Sequence, residues 1–102
     1  MLGLVCWSNF LLGRYDDAMP ACEKTAARDN TWGNQVWLVA GYAQQGDIAK
    51  AGIARNEVLK QQPRFTIEKF KAREATSASA GYLQRLETHV LTGLRKAGLP
   101  DM

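Results

Sequence analysis

The amino-acid sequence predicts an all-α fold of stacked antiparallel helix pairs, an α–α superhelix fragment closed by a C-terminal capping helix. Three observations predict it: helix-ending signals recur 33 residues apart, apolar residues recur every three or four positions, and the last third carries an amphipathic stretch bounded by glycine and proline. The length of 102 residues suits one domain. We predict a first repeat at about 1–30, a second at about 31–63, a short helix at 66–72 and the capping helix at about 79–97.

The 33-residue repeat is clearest at two turns. It separates Gly13 from Gly46 and Ala18 from Ala51, and each alanine lies five residues after its glycine. Glycine ends a helix readily because it enters the left-handed conformation without a Cβ penalty. Alanine lets two antiparallel helices cross closely. We therefore interpret these four residues as packing residues of a helix–turn–helix unit.

The helices of the second unit have recognisable boundaries. Thr31 can cap a helix over 32–45, whose apolar residues recur at helical spacing. Asp47 can cap the next helix, and Pro63 prevents that helix from continuing. In the first unit, Pro20 falls near the start of the second helix, where we expect a bend rather than a break.

The C-terminal third does not repeat the unit in full. Thr66 can cap a short helix that buries Phe65, Ile67 and Phe70 on the preceding pair, and residues 73–79, rich in Ala, Ser and Thr, are predicted as a loop. The last helix presents one apolar stripe, as a terminal element of a repeat array needs. The stripe consists of Tyr82, Leu83, Leu86, Val90, Leu91 and Leu94, and Gly98 and Pro100 end the helix.

This pattern resembles the tetratricopeptide-repeat (TPR) family, whose unit is a helix–turn–helix with leucine, tyrosine, glycine, alanine and proline at set positions. The resemblance covers about residues 1–63. Asn9 and Asn30 depart from it, because the family usually has an aromatic residue and a proline there. The matching positions are Gly13, Tyr15, Asp17 and Ala18 in the first unit and Leu38, Tyr42, Gly46, Asp47, Ala51 and Pro63 in the second.

Two C-terminal segments carry a narrower resemblance. Residues 65–70 and 93–100 look like the end of TPR regions attached to bacterial class III adenylate/guanylate cyclases and related signalling proteins. In such proteins the metal-binding aspartates belong to the cyclase domain, and nothing in this chain matches them. The resemblance therefore implies a non-catalytic protein–protein interaction module, the C-terminal regulatory fragment of a signalling protein.

In the TPR family, the first helix of each unit lines a concave groove that receives peptides. Transferring those positions gives Trp7 and Leu11 in the first unit and Val36, Ala40 and Gln44 in the second. Trp37 joins them as a side chain of the type enriched at binding hot spots, although both tryptophans could instead fill the core between helices. The groove lacks a cluster of Lys and Arg. An apolar or amphipathic protein segment, possibly from another domain of the parent chain, is the predicted partner.

The first helix is apolar on nearly every side, so it is expected to be covered on every side. A preceding repeat or a second copy of the chain could cover it, and we predict a homodimer through this helix. The predicted contact residues are Leu2, Leu4, Val5 and Phe10. Residues 1–12 carry no basic leader and no cleavage site, and are interpreted as a structural helix rather than a signal peptide.

Motifs of catalysis and of metal or cofactor binding are missing from the sequence. His89 is the sole histidine and is interpreted as a surface or edge residue. Cys6 and Cys22 are too few and too widely separated to indicate a disulfide framework or a zinc site, and are interpreted as small buried hydrophobes. With no apolar run near the roughly 18 residues of a membrane span, the chain is predicted to be cytoplasmic.

The net charge of +3 and pI near 9.1 suggest acidic partners. The alternative function is therefore a basic helical domain that binds nucleic acid. Lys and Arg are nevertheless scattered among Asp and Glu, without a basic arm or stripe. A protein partner fits this distribution better.

Overall fold

The computed structural model describes residues 2–75 and 80–101, and this part of the chain is helical, without strands. The predicted all-α class is confirmed. Four helices form two successive pairs, a fifth follows, and the last helix changes from α to π and back; we call it the C-terminal helix. The elements are α1 (Leu2–Leu11), α2 (Tyr15–Arg28), α3 (Trp32–Gln44), α4 (Ile48–Gln61), α5 (Ile67–Ala75), and the C-terminal helix made of α6 (Ala80–Arg85), the π-helical Leu86–Leu91 and α7 (Thr92–Lys96).

The turns that close the two pairs have the same backbone. Gly13 and Gly46 both adopt the left-handed conformation, with φ of 77° and 82°. The hydrogen bonds of the first turn recur in the second at a distance of 33 residues, so the repeat read from the sequence is present in the backbone. The N–H groups of Gly13 and Arg14 donate to the carbonyls of Phe10 and Asn9, and those of Gly46 and Asp47 donate to the carbonyls of Ala43 and Tyr42.

Predicted local features of the helices are mostly present. The carboxylate of Asp47 accepts from the backbone N–H of Lys50 at 3.2 Å and caps α4, and the hydroxyl of Thr66 caps α5 in the same way. Pro20 lies within α2 without breaking it. The loop predicted at 73–79 is wrong for residues 73–75, which continue α5, while 76–79 lie outside the described residues.

The cysteines correct a prediction. Cys6 and Cys22 are both buried, as expected, but they form a disulfide between α1 and α2 with their Cα atoms 4.8 Å apart. Their separation of 16 residues is centred on the turn after α1, and an antiparallel helix pair brings such positions face to face. Disulfides persist mainly in oxidising compartments, so this bond weighs against the predicted cytoplasmic location.

The C-terminal helix packs across α3 and α1. Its closest approach is at Gly93, where an added Cβ would lie 2.6 Å from the carbonyl oxygen of Ala40. The peptide N–H groups of Ile67 and Glu68 then hold the chain end by donating to the carbonyls of Pro100 and Asp101. The fully or almost fully buried apolar residues of this region are Leu86, Val90, Leu91, Leu94, Ala97 and Leu99. The C-terminal helix is therefore part of the core.

Among residues 2–75 and 80–101, none of the helices has both the length and the apolar character that a membrane crossing requires.

Candidate partner-binding site

One face of α3, which we call the inner face, carries Val36, Ala40 and Gln44. Val36 and Ala40 are fully buried. The Gln44 side chain donates to the carbonyl of His89 at 2.9 Å and accepts from Lys96 at 2.8 Å, so it binds the C-terminal helix. The face on which we predicted a peptide ligand is therefore covered by a helix of the same chain at Ala40 and Gln44.

The predicted tryptophans contact each other beside the inner face. Trp37 is buried, and its ring centroid lies 6.1 Å from that of Trp7 and 5.2 Å from that of Phe10. Trp37 thus fills the core, as the alternative interpretation held, whereas Trp7 is 41% exposed. Leu11 is half-buried, and its carbonyl accepts a hydrogen bond from Arg85 of the C-terminal helix.

Val5 and Phe10, two of the predicted dimer contacts on α1, differ in exposure. Val5 is 45% exposed, but Phe10 is fully buried between Tyr15 and Trp37 and cannot meet a second chain. The side chains of Leu2 and Leu4 lie outside the described part of the structure. The homodimer stays a prediction.

The opposite face of α3 is open. Gln35, Leu38 and Tyr42 lie there at helical spacing and form the floor of two adjoining cavities of about 310 and 420 Å³. One wall comes from α2 and the other from α4. We call this cleft the outer groove. Because α2 and α4 both run antiparallel to α3, the residues that line the outer groove fall into three levels along α3. The level at each end is polar and the middle level is apolar.

The first level of the outer groove joins Glu23, Tyr42 and Lys50. The Tyr42 hydroxyl donates to the Glu23 carboxylate at 2.8 Å, and the Lys50 ammonium lies 5.7 Å from the centre of the Tyr42 ring. Burial raises the pKa of Tyr42, and the hydrogen bond to Glu23 and the charges of Glu23 and Asp47 raise it further. Tyr42 therefore stays protonated and bridges α3 to α2 as a donor.

The middle level is apolar and shallow-walled. Ala26 and Ala27 of α2 face Ala54 of α4 across Leu38, so small side chains surround the floor. Ile53 forms the lip on the α4 side and is 72% exposed, more than any other large apolar residue of the described chain. Apolar pits between small side chains admit a single apolar side chain from outside.

The third level is built from amides and one carboxylate. Gln35 donates to the side chain of Asn30, and the Gln61 amide donates to the Asn30 carbonyl at 2.9 Å and to Oε1 of Glu57 at 3.1 Å. Asn30 donates to the same Glu57 oxygen at 3.4 Å. This network connects α4 to the segment between α2 and α3.

Among its described lining residues, the two carboxylates of the outer groove outnumber its one cation, Lys50. Within the described residues neither Glu23 nor Glu57 forms an ion pair, although the protein carries a net charge of +3. Lys50, the cation of the first level, lies 4.0 Å from a carboxylate oxygen of Asp47. The outer groove is thus a locally acidic part of a basic protein.

His89 contacts Tyr15 and the turn at Gly13. Its Nδ1 lies 2.7 Å from the hydroxyl of Tyr15, and its ring packs at the turn formed by Gly13. Burial lowers the pKa of His89, and the neighbouring charge of Arg85 lowers it further. The described residues contain no group of three His, Cys, Asp or Glu side chains that could hold a metal ion.

Sequence reasoning overlooked the outer groove, although a signal was present. Two stretches, the end of α2 with Asn30 just beyond it and the helix α4, carry a polar residue, two small or apolar residues and another polar residue at positions i, i+3, i+4 and i+7. The two sets are Glu23, Ala26, Ala27, Asn30 and Lys50, Ile53, Ala54, Glu57. Such stripes share one helix face, and here both face the cleft.

Comparison of the chain with protein-family models, curated proteins and solved structures finds no match.

Proposed function

We propose that this chain is a non-catalytic protein–protein interaction module built from TPR-like helix pairs, and that its partner binds in the outer groove. One observation carries the proposal: α3 has two opposite faces, of which one holds the chain's own C-terminal helix while the other is an open cleft. An apolar centre with polar groups at both ends is the usual composition of a site for a peptide or small ligand.

The TPR-like assignment is supported by the repetition of the turns. The hydrogen bonds and left-handed glycines at Gly13 and Gly46 agree with the helix–turn–helix unit of the TPR family. Fully buried Ala18 and Ala51 fit the close crossing of paired helices. Stacking of the two pairs into a superhelix belongs to the same proposal.

The origin of the module is proposed from resemblance alone. Residues 65–70 and 93–100 resemble the TPR tails of bacterial class III cyclases, so the parent protein is proposed to be a signalling protein in which this module regulates the output or recruits a partner. The reading frame in the source genome tests this part, because a cyclase domain upstream in the same frame is expected.

The experiment on binding uses the full chain and two matched variants. Peptides are selected from a random display library on the immobilised protein, and their affinities are measured by fluorescence anisotropy. Ile53→Ser changes the lip of the groove, and Ile48→Ser changes an isoleucine of the same helix that is 56% exposed and lines neither cavity. Both side chains are exposed, so both variants are expected to fold.

We expect Ile53→Ser to weaken binding by about tenfold, as for a residue at the centre of an interface, and Ile48→Ser to leave it unchanged. Equal binding by the two variants, or no enriched peptide, would contradict the proposed groove.

A further inference from the structure

We infer that the outer groove receives an extended peptide segment that inserts one apolar side chain at the middle level and sets a Lys or Arg side chain against Glu57. This inference rests on the proposed function and specifies the chemistry of its partner. It follows from the dimensions of the groove, from the small residues at its centre and from the charges at its ends.

The apolar anchor follows from the middle level. Ala26 and Ala54 are almost fully buried, yet Ile53 beside them remains 72% exposed. Single exposed apolar residues are common on protein surfaces, but this one borders a pit whose walls are alanines. An apolar side chain from a partner would pack against Ile53 at the edge of the pit and remove its exposed surface from water.

The extended conformation follows from the length of the groove. Its floor runs from Gln35 to Tyr42, seven residues of helix, or about 10 Å at the α-helical rise. An extended chain covers this distance in about three residues. Each end of the floor offers polar groups, Tyr42 with Glu23 at one and Asn30 with Gln35 at the other. The peptide backbone of an extended segment exposes the N–H and C=O groups that could bind there.

The basic residue follows from the carboxylates. Glu23 already accepts from the Tyr42 hydroxyl, with Lys50 across the groove. Glu57 accepts at Oε1 from two neutral amides, and within the described residues its Oε2 has no hydrogen-bond partner. A cationic side chain would donate to this oxygen and bring an opposite charge to it. Glu57 is therefore the better counter-ion for a Lys or Arg of the peptide. This basic residue would lie one or two positions from the apolar anchor.

The test uses synthetic peptides with identical glycine and serine flanks and a fluorescein label. The first has the core Lys-Ser-Leu-Ser-Lys, which offers a lysine on either side of the leucine and so fits both chain directions. The second replaces both lysines with glutamine, and the third replaces the leucine with serine. Each is titrated against the unchanged chain, against Glu57→Gln and against Glu68→Gln, which changes an exposed glutamate of α5 outside the groove.

The lysine peptide is expected to bind more tightly than the glutamine peptide by about three- to fivefold, as for a partly exposed ion pair, and added salt is expected to reduce this preference. Glu57→Gln is expected to abolish the preference while keeping an oxygen that accepts from Asn30 and Gln61, and Glu68→Gln to preserve it. The serine peptide is expected not to bind.

Two failures remain distinguishable. If the lysine and glutamine peptides bind equally well and both lose affinity on Ile53→Ser, the groove binds peptides and only the inferred basic residue is overturned. If display-selected peptides bind the Ile53→Ser variant as tightly as the unchanged chain, the proposed function fails together with the inference.

Discussion

The two helix pairs share a backbone and differ in what surrounds it. The hydrogen bonds that close the turn at Gly13 recur at Gly46, and Ala18 and Ala51 are both fully buried. The first pair is cross-linked by a disulfide and its turn contacts the C-terminal helix, whereas a Cβ built on Gly46 would meet no atom of the described residues within 4 Å beyond its own chain neighbours. A repeated sequence therefore determines local geometry, while the neighbours of each repeat determine what a given position contributes.

Tyr15 and Ile48, which are 33 residues apart, show the same difference. The Tyr15 hydroxyl lies 2.7 Å from Nδ1 of His89, and burial raises the pKa of Tyr15. Ile48 is 56% exposed. The position is an internal contact in the first pair and surface in the second, because His89 of the C-terminal helix packs on the first turn. Variants at equivalent positions of the two pairs should therefore have unequal effects.

The disulfide should give the largest difference between the pairs. Reducing the Cys6–Cys22 bond is expected to lower the free energy of unfolding by about 3 kcal/mol, the value that loop-closure entropy predicts for a loop of this size. Urea unfolding followed by circular dichroism, with and without a reducing agent, measures it. The two cysteines are the only ones in the sequence, so reduction has no other target. Equal unfolding midpoints would show that the bond does not stabilise the fold.

The turn glycines offer a matched pair. Gly46→Ala is expected to cost about 1–2 kcal/mol, because an alanine at positive φ brings Cβ close to the following carbonyl. Gly13→Ala should cost more than Gly46→Ala, since its Cβ would also meet Cε1 of His89 at 3.2 Å. Urea unfolding of both variants tests the order. Equal losses of unfolding free energy in the two variants would mean that the C-terminal helix shifts to accommodate the added methyl group.

Helix capping stabilises the second pair, whereas the disulfide stabilises the first. Asp47→Ala removes a carboxylate that caps α4 and is expected to cost about 1 kcal/mol. The equivalent Arg14 makes no side-chain capping hydrogen bond to α2, so Arg14→Ala is expected to have little effect. The same unfolding measurement compares them, and an equal cost for both variants would contradict the difference in capping.

Local features of the fold could be predicted from the sequence because local chemistry determines them. Gly13 and Gly46 end helices through their own backbone freedom, and Asp47 and Thr66 cap helices through residues three positions away. The apolar stripe of the C-terminal helix likewise follows from its spacing, and it is buried over most of its length. None of these features needs knowledge of distant residues.

The site could not be predicted in the same way, because tertiary packing decides it. Val36 and Ala40 have the residue types and spacing of a groove, and only the path of the C-terminal helix reveals that they are covered. The outer groove exists because α2 and α4 leave a gap above Leu38. The Cys6–Cys22 bond required knowing that α1 and α2 are antiparallel and in which register they pair.

The smallest expected effect is a pH dependence at the contact between the first turn and His89 of the C-terminal helix. His89 packs on the Gly13 turn, and burial followed by the charge of Arg85 lowers its pKa below the ordinary value of 6.5. Below pH 6.5 the unfolded chain then binds more protons than the folded one, so stability falls as the pH drops from about 6.5 through the lowered pKa. At pH values above about 6.5, the stability that depends on a neutral His89 ring is fully present.

Urea unfolding at pH 7.5 and pH 5.5 is expected to give a lower midpoint at pH 5.5, with a smaller difference in His89→Gln. Since His89 is the only histidine in the sequence, a loss confined to this range is assigned to it. Equal or greater stability at pH 5.5 would show that the folded protein accommodates the protonated ring. The contact between the first turn and the C-terminal helix would then be independent of pH, and the two pairs would respond alike.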